Sequence, residues 1–238
     1  MGYDFLLFDA DQTLFDFDRS EYCSLRQLLT ENHIAFTDEL YADYHAINHA
    51  LWKALERGEI TREMLIRKRF DRLSANWHFT CEPDAYNARY LELLGQCSYL
   101  IDGAAALCRH LSVNKKLYLI TNGVAATQRS RYEGSALNGY FSDVFVSEAI
   151  GANKPSPVFF AYVFAHIPDF DASRALVIGD SLTSDMRGAN NAGIDCCWYN
   201  PGHVINQENV VVNFEIASLD ELTKIVDNPR TERMPHEN

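Results

Sequence analysis

The sequence lacks the segments that mark membrane and exported proteins. No apolar run approaches the roughly 18–20 residues of a membrane-spanning helix, and the start, MGYDFLLFDADQ, carries acids where a signal peptide carries basic residues. The six cysteines form no CxxC pair and no cysteine–histidine spacing of a zinc site. We therefore expect a cytoplasmic protein with reduced, buried thiols and no membrane partner.

Basic residues are also scarce. The 238 residues include 21 Lys and Arg against 33 Asp and Glu, which gives a net charge of −12. Such an acidic surface repels a polyphosphate backbone, so the composition disfavours a nucleic-acid partner. It does not exclude a small anionic ligand, because a metal ion, one lysine and backbone amides can hold a phosphate locally.

Short apolar runs alternate with helix-like segments along most of the chain. Three uninterrupted runs, Phe5–Phe8, Leu117–Ile120 and Ala175–Ile178, are typical of strands that are covered on both faces. Two weaker strand candidates are Val144–Val146 and Cys196–Tyr199. The helix-like segments between the strands include Ala104–Leu111, Pro157–Ala165 and Ser184–Asn191. This alternation predicts an α/β fold, with a Rossmann-like parallel sheet and helices on both of its faces.

A helical insert interrupts the alternation after the first strand. Its apolar stripe recurs every three or four residues, at Leu40, Tyr44, Ile47, Leu51 and Leu55. Thr61 and Pro83 are residues that commonly begin helices. The predicted domains are a discontinuous α/β catalytic core at 1–16 and 96–226, an all-helical domain at 17–95 and a flexible tail at 227–238.

Four polar clusters follow predicted strands. In chain order they are Asp9 with Asp11, Thr121 with Asn122, Lys154, and Asp180 with Asp185. Each cluster alone is ordinary, because such residues also turn the chain and cap helices. Ligands of an open α/β sheet bind beyond the carboxyl ends of its strands. Together, the clusters therefore predict one site that combines carboxylates, a hydroxyl group and a lysine.

The segments that carry these clusters are LLFDADQTLF, LITNG, GANKPSPVFF and VIGDSLTSD. They resemble the haloacid dehalogenase superfamily of aspartate-nucleophile phosphohydrolases, and the resemblance covers the chain except for its tail. The helical insert resembles the cap domain of that superfamily. Gln12 and the pair Ile101-Asp102 depart from the common pattern, where glycine and Pro-Gly are frequent, but neither departure touches a catalytic position.

The resemblance implies a two-step hydrolysis of a phosphate monoester. Asp9 is the implied nucleophile, and its aspartyl-phosphate would divide one difficult reaction into two easier ones. Asp11 is the implied general acid–base, which protonates the leaving alkoxide and then activates water, a role typically worth ~10²–10⁴ in rate.

The same resemblance implies Mg²⁺, which prefers oxygen ligands and retains several waters. Its implied ligands are Asp9, Asp180 and the backbone carbonyl of Asp11, while Asp185 orients the metal site. Alternatively, Asp185 only begins a helix. The phosphoryl oxygens would be held by Thr121, the Asn122 amide and Lys154.

Within the superfamily, DADQTLFDFD, YHAINHALWKALERGEIT and CCWYN resemble the bacterial pyrimidine 5′-nucleotidases. The implied substrate is a small phosphorylated metabolite, a nucleoside monophosphate. A nucleobase needs a flat apolar surface and a few polar groups, and the predicted base contacts are Asn48, Trp52 and Phe15. Tyr44 could also contribute, or it could belong to the core of the insert, and the same alternative holds for Trp52.

Three other functions stay open at this point. A phosphoglycolate or sugar-phosphate phosphatase is the nearest alternative, because the core motifs do not distinguish leaving groups. A haloacid dehalogenase uses the same nucleophile but has no alkoxide to protonate, which would leave Asp11 without a role. A non-catalytic binding protein would not need every catalytic residue type.

Overall fold

A computed structural model of the chain describes residues 2–227. The predicted tail at 227–238 therefore lies outside the described residues, apart from Asp227. The chain divides into two compact units: one takes the chain up to Phe17 and from Ser98 onward, and the other is Asp18–Cys97. We call them the sheet unit and the helical unit. Within the described part of the chain, no helix has the length and apolarity needed to span a membrane.

The sheet unit contains six parallel strands in the order β3-β2-β1-β4-β5-β6. They are β1 (Phe5–Asp9), β2 (Lys116–Thr121), β3 (Asp143–Val146), β4 (Ala175–Gly179), β5 (Asp195–Tyr199) and β6 (Phe214–Ile216). The five predicted strands are all present, whereas β6 was not predicted. The α/β parallel sheet is thus confirmed.

Apolar layers cover both faces of this sheet, which explains why its central strands are uninterrupted apolar runs. Leu6 and Phe8 belong to one layer and Leu7 to the other, because successive side chains of a strand point to opposite faces. The helices of the sheet unit are α5 (Ala104–Leu111), α6 (Ala125–Glu133), α7 (Ser147–Ile150), α8 (Pro157–His166), α9 (Arg187–Ala192) and α10 (Leu222–Asp227). Apolar residues of α5 and α8 pack on opposite faces.

The strand register brings the polar clusters to one edge. Asp9 lies opposite Ile120, which directly precedes Thr121. On the other side of β1, Phe8 lies opposite Ile178, so that Asp180 follows β4 at the same level. The carboxyl ends of β1, β2 and β4 therefore present their polar residues together.

The helix predicted over Ser184–Asn191 is present, but its first three residues belong to a π-helical turn and not to an α-helix. The chain forms a π-helical turn at Leu182–Met186 before α9 begins. The cause is local, since the carbonyl of Ser181 accepts hydrogen bonds from the backbone N–H groups of both Asp185 and Met186, at 3.0 and 3.1 Å. The wider turn keeps Asp185 next to the end of β4.

The helical unit is built from α1 (Phe17–Glu31), α2 (Asp38–Glu56), α3 (Arg62–Trp77) and α4 (Pro83–Gly95). The first residue of α1, Phe17, is the last residue of the N-terminal segment of the sheet unit. The predicted apolar stripe of α2 is buried throughout. Thr61 caps α3, because its hydroxyl accepts a hydrogen bond from the Met64 N–H at 3.2 Å, and Pro83 is the first residue of α4. The cysteines correct one expectation: Cys108, Cys196 and Cys197 are buried, but Cys23, Cys81 and Cys97 are half-buried.

Candidate active site

The turn after β1 positions Asp9 and Asp11. Asp9 ends the strand and is buried, and the carbonyl of Ala10 then accepts hydrogen bonds from the N–H groups of Leu14 and Phe15, at 3.0 and 2.8 Å. Gln12 takes a φ of 60° within this turn, in the left-handed region. Glycine reaches that region without steric cost, which explains why glycine is frequent at this position among proteins with this motif.

Lys154 lies at the centre of the site. Its ammonium group donates hydrogen bonds to Oδ1 of Asp9 at 2.5 Å, to Oδ1 of Asp185 at 2.7 Å and to the carbonyl of Ile120 at 2.9 Å. Burial by itself lowers the pKa of Lys154, but the carboxylates of Asp185 and Asp9 raise it above its usual value. Burial also raises the pKa of Asp9, although the Lys154 ammonium opposes this rise. Lys154 is therefore a buried cation between two carboxyl groups.

A group of three carboxylates could hold a metal ion at this edge. Asp9, Asp180 and Asp185 each offer an oxygen, and these oxygens lie within 4.8 Å of one another. Hard divalent cations such as Mg²⁺ prefer this kind of donor set, so the residues present fit such an ion. The backbone carbonyl of Asp11, the other predicted ligand, belongs to the turn directly after Asp9.

Two neighbouring residues fix the acidic groups. The indole N–H of Trp198 donates to the carbonyl of Asp180 at 2.8 Å, and Oδ2 of Asp185 accepts a hydrogen bond from the Ser181 N–H at 3.1 Å. A Cβ atom on Gly179 would lie only 2.3 Å from that same Oδ2. The absence of a side chain at Gly179 thus allows Asp185 to approach the end of β4.

The predicted phosphoryl-binding residues meet at the carboxyl end of β2. Oγ1 of the buried Thr121 accepts a hydrogen bond from the Gly123 N–H at 3.1 Å. The side chain of Asn122 makes two hydrogen bonds to the backbone of Lys154: Nδ2 donates to its carbonyl at 3.0 Å, and Oδ1 accepts from its N–H at 2.9 Å. The Asn122 side chain therefore holds the loop that delivers Lys154.

Two residues of α6 that the sequence did not predict as functional bind Asp11. Nε2 of Gln128 donates to Oδ2 of Asp11 at 2.6 Å, and the guanidinium group of Arg131 donates to Oδ1. Both residues are buried, although α6 reads AATQRSRYE and has no apolar stripe. The sequence carries no signal for this burial, because a helix without an apolar stripe has the pattern of an exposed helix, and only the fold supplies the partners that these buried polar groups need.

The predicted base contacts lie in different units. Phe15 belongs to the sheet unit, where it is 1% exposed, and the Arg131 guanidinium lies 4.7 Å from the centroid of its ring. Phe15 is thus packed inside the sheet unit, and its contact with a base stays a prediction. Tyr44 is completely buried against the rings of Phe70 and Tyr90, so the alternative in which Tyr44 belongs to the core of the insert is correct.

Asn48 and Trp52 lie one turn apart on α2 in the helical unit. Asn48 is buried, and its Nδ2 donates to Oε1 of Glu21 at 2.7 Å. Trp52 is half-buried, with the guanidinium of Arg62 5.8 Å from its ring centroid. Trp52 therefore keeps part of its surface accessible to solvent.

Comparison with known families agrees with this geometry. The model of the haloacid dehalogenase-like hydrolase family matches residues 3–193. The chain belongs to the haloacid dehalogenase-like hydrolases. The resemblance inferred from the four motifs is thereby confirmed, and the matched range includes Asp9, Lys154 and Asp185.

Relatives of this haloacid dehalogenase-like hydrolase match over nearly their whole length. Pyrimidine 5′-nucleotidase PynA of Streptococcus pneumoniae is 40% identical and covers 98% of this chain and 99% of its own. Pyrimidine 5′-nucleotidase YjjG of Escherichia coli is 33% identical, with coverages of 95% and 99%. The crystal structure of the HAD-hydrolase YfnB of Bacillus subtilis, bound to magnesium, has a TM-score of 0.92 at 39% identity and covers 95% of this chain and 100% of that one.

Proposed function

We propose that this hydrolase is a Mg²⁺-dependent phosphomonoesterase that acts through an aspartyl-phosphate on Asp9, and that its substrates are pyrimidine nucleoside 5′-monophosphates. The observation that carries the proposal is the buried contact of Lys154 with Asp9 and Asp185, beside a second carboxylate, Asp11, two residues after Asp9. This arrangement supplies a nucleophile and a proton-transfer group in one turn of the chain, and it adds a fixed cation from a distant loop.

The reaction follows from those groups. A carboxylate oxygen of Asp9 forms a bond to phosphorus while the ester P–O bond breaks, and Asp11 gives its proton to the departing alkoxide. Asp11 then takes a proton from water, which attacks phosphorus, releases phosphate and restores the Asp9 carboxylate. Bound Mg²⁺ would contribute positive charge next to the transferring phosphoryl group.

Asp11 favours phosphate esters over halogenated acids. A halide leaves without a proton, whereas an alkoxide is a poor leaving group that needs one. In this protein Asp11 is not an incidental turn residue, because a glutamine and a buried arginine of α6 both bind its carboxylate. A dehalogenase would have no use for this arrangement.

The proposed substrate class rests on the relatives and on the helical unit. PynA and YjjG are both pyrimidine 5′-nucleotidases by name, and their similarity extends over the helical unit as well as the sheet unit. We assign the base contacts to Asn48 and Trp52. Oδ1 of Asn48 is buried and has no hydrogen-bond partner among residues 2–227, a state that costs about 1–3 kcal/mol. Glu21 holds Nδ2 of the same amide, so Oδ1 is the atom left to accept an N–H group of a base.

A substrate panel tests this proposal. The purified protein is assayed with uridine, cytidine, adenosine and guanosine 5′-monophosphates, phosphoglycolate, a hexose phosphate and 2-chloropropionate. We expect the highest kcat/KM for the pyrimidine nucleotides, loss of activity in EDTA and its recovery with Mg²⁺. A preference for phosphoglycolate or the sugar phosphate would contradict the substrate class, chloride release would contradict the chemistry, and inactivity on every compound would indicate a binding protein.

A further inference from the structure

Gln128 joins two groups of the proposed active site. One N–H of its side-chain amide donates to Oδ2 of Asp11 at 2.6 Å, and the other donates to Oγ1 of Thr121 at 2.9 Å. Its Oε1 accepts a hydrogen bond from Arg131 at 3.1 Å. Every polar atom of the amide is used, so its orientation is fixed: a flipped amide would place its oxygen against the Asp11 carboxylate and its NH₂ group against a cation.

The contact with Gln128 determines what the Thr121 hydroxyl can do. Oγ1 of Thr121 accepts hydrogen bonds from Gln128 and from the Gly123 N–H. A hydroxyl oxygen has two lone pairs and one proton, so these two contacts leave the O–H as a donor. A donor is what a phosphoryl oxygen requires.

Arg131 anchors the same arrangement from one turn further along α6. Its guanidinium donates both to Asp11 and to Gln128, and it is 1% exposed, with the ring of Phe15 beneath it. A buried cation needs a nearby counter-charge, which Asp11 provides. Both carboxylate oxygens of Asp11 are thus bound by side chains of a single helix.

Gly123 leaves the space that Gln128 occupies. A Cβ atom at this position would lie 2.4 Å from Nε2 and 2.6 Å from Cγ of Gln128. An alanine there would force the Gln128 side chain away from Asp11 and Thr121 without removing any polar group.

We propose that Gln128 is a positioning residue that couples proton transfer by Asp11 to phosphoryl binding by Thr121, with Arg131 as its anchor. The proposal rests on the proposed function, because it requires Asp11 to protonate a leaving group. It has two separable consequences. Loss of Gln128 should slow reactions with poor leaving groups through Asp11, and it should slow all phosphate esters equally through Thr121.

The test is a set of double-mutant cycles on aryl phosphates whose leaving groups range from good to poor. Gln128→Met keeps the length of the side chain but removes its hydrogen bonds, and Gly123→Ala displaces it. Each is expected to lower kcat/KM by at least about tenfold for the poorest leaving group, and by less for the best. The part of the kcat/KM loss that depends on the leaving group should disappear when the substitution is made in an Asp11→Asn background. The part that is equal for all leaving groups should disappear in a Thr121→Val background, because the effects of coupled residues are not additive.

Arg129→Met is the matched control, since Arg129 lies exposed on the same helix, and it should retain wild-type activity. If Gln128→Met and Gly123→Ala cause equal losses for all leaving groups and in all backgrounds, their role is structural and the proposal is wrong. If the activity loss of Asp11→Asn depends on the leaving group but that of neither Gln128→Met nor Gly123→Ala does, only the proposal on Gln128 fails. If Asp11→Asn itself shows none, the proposed function fails.

Discussion

Lys154 and Asp9 are 145 positions apart in the sequence, yet their side chains meet at 2.5 Å in the interior of the sheet unit. The same ammonium binds Asp185 at 2.7 Å. One cation therefore serves two buried carboxylates, and Asp180 adds a third acidic group within reach of them. This excess of negative charge is what a divalent cation would offset.

Removal of the Lys154 ammonium group should destabilise the protein as well as inactivate it. Lys154→Met leaves two buried carboxylates without their counter-charge, so we expect the free energy of unfolding to fall by about 3–5 kcal/mol. Urea unfolding in EDTA measures this change. Lys224→Met is the control, because Lys224 is exposed. An equal and small effect of the two substitutions would show that the cluster is not a buried ion pair.

Asp11→Asn should lower activity in proportion to the difficulty of the leaving group. An amide cannot give its proton to an alkoxide, so turnover of a nucleotide should fall by about 10²–10⁴. The loss should be much smaller for p-nitrophenyl phosphate, whose leaving group needs little protonation. Steady-state kinetics on both substrates measure this difference, and equal losses would remove Asp11 from the acid–base role.

Gly179→Ala should weaken metal binding through Asp185. The new methyl group would collide with Oδ2 of Asp185 and displace a carboxylate of the proposed metal site. An ion that binds only the folded protein raises its melting temperature, so the increase produced by Mg²⁺ should be smaller in this variant. The matched control is Gly202→Ala, where a Cβ would meet no atom closer than 3.7 Å. If Mg²⁺ raised the melting temperature of Gly179→Ala as much as that of the wild type, Asp185 would not belong to the metal site.

The sequence predicted those features that have a local cause. Central strands such as β1 and β4 are buried on both faces and must be continuous apolar runs, so they were recognisable. The polar clusters were recognisable for a related reason, since parallel strands bring their carboxyl ends to one edge. By contrast, β6 has only three residues with an exposed Glu215 in the middle, which leaves too short a pattern to distinguish it from a loop.

Features that depend on distant contacts were not predictable. Gln128 and Arg131 look like exposed helical residues until the fold brings Asp11 to them, over sequence separations of 117 and 120. The burial of Phe15 beneath Arg131 has the same origin. The π-helical turn before α9 forms because the carbonyl of Ser181 accepts two hydrogen bonds. No residue pattern in the sequence predicts such a turn.

Base selectivity should depend on Asn48 and Trp52. Stacking of a base on an aromatic ring contributes about 1–3 kcal/mol of binding free energy. A contact far from phosphorus stabilises the bound substrate and the transition state equally, so its loss raises KM without changing kcat. Asn48→Ala and Trp52→Ala should therefore raise KM for a pyrimidine nucleotide and leave p-nitrophenyl phosphate nearly unaffected.

Trp77→Ala provides the control for this experiment, because Trp77 is a 37% exposed tryptophan of the same helical unit. Trp77→Ala should change neither the hydrolysis of the pyrimidine nucleotide nor that of p-nitrophenyl phosphate. Melting temperatures of all three variants separate a binding role from a structural one: a lower melting temperature with similar losses on both substrates would assign Asn48 and Trp52 to the packing of the helical unit.

Rapid-quench mass spectrometry can detect the proposed aspartyl-phosphate on Asp9 during turnover. The enzyme is mixed with substrate and Mg²⁺, quenched in acid during turnover and digested, and the peptide that contains Asp9 is analysed. We expect the added mass of one phosphoryl group on Asp9, which rises and decays with turnover and is absent from a folded but inactive Asp9→Asn variant. Phosphate release at the wild-type rate from Asp9→Asn, with deamidation excluded, would show that Asp9 is not the nucleophile.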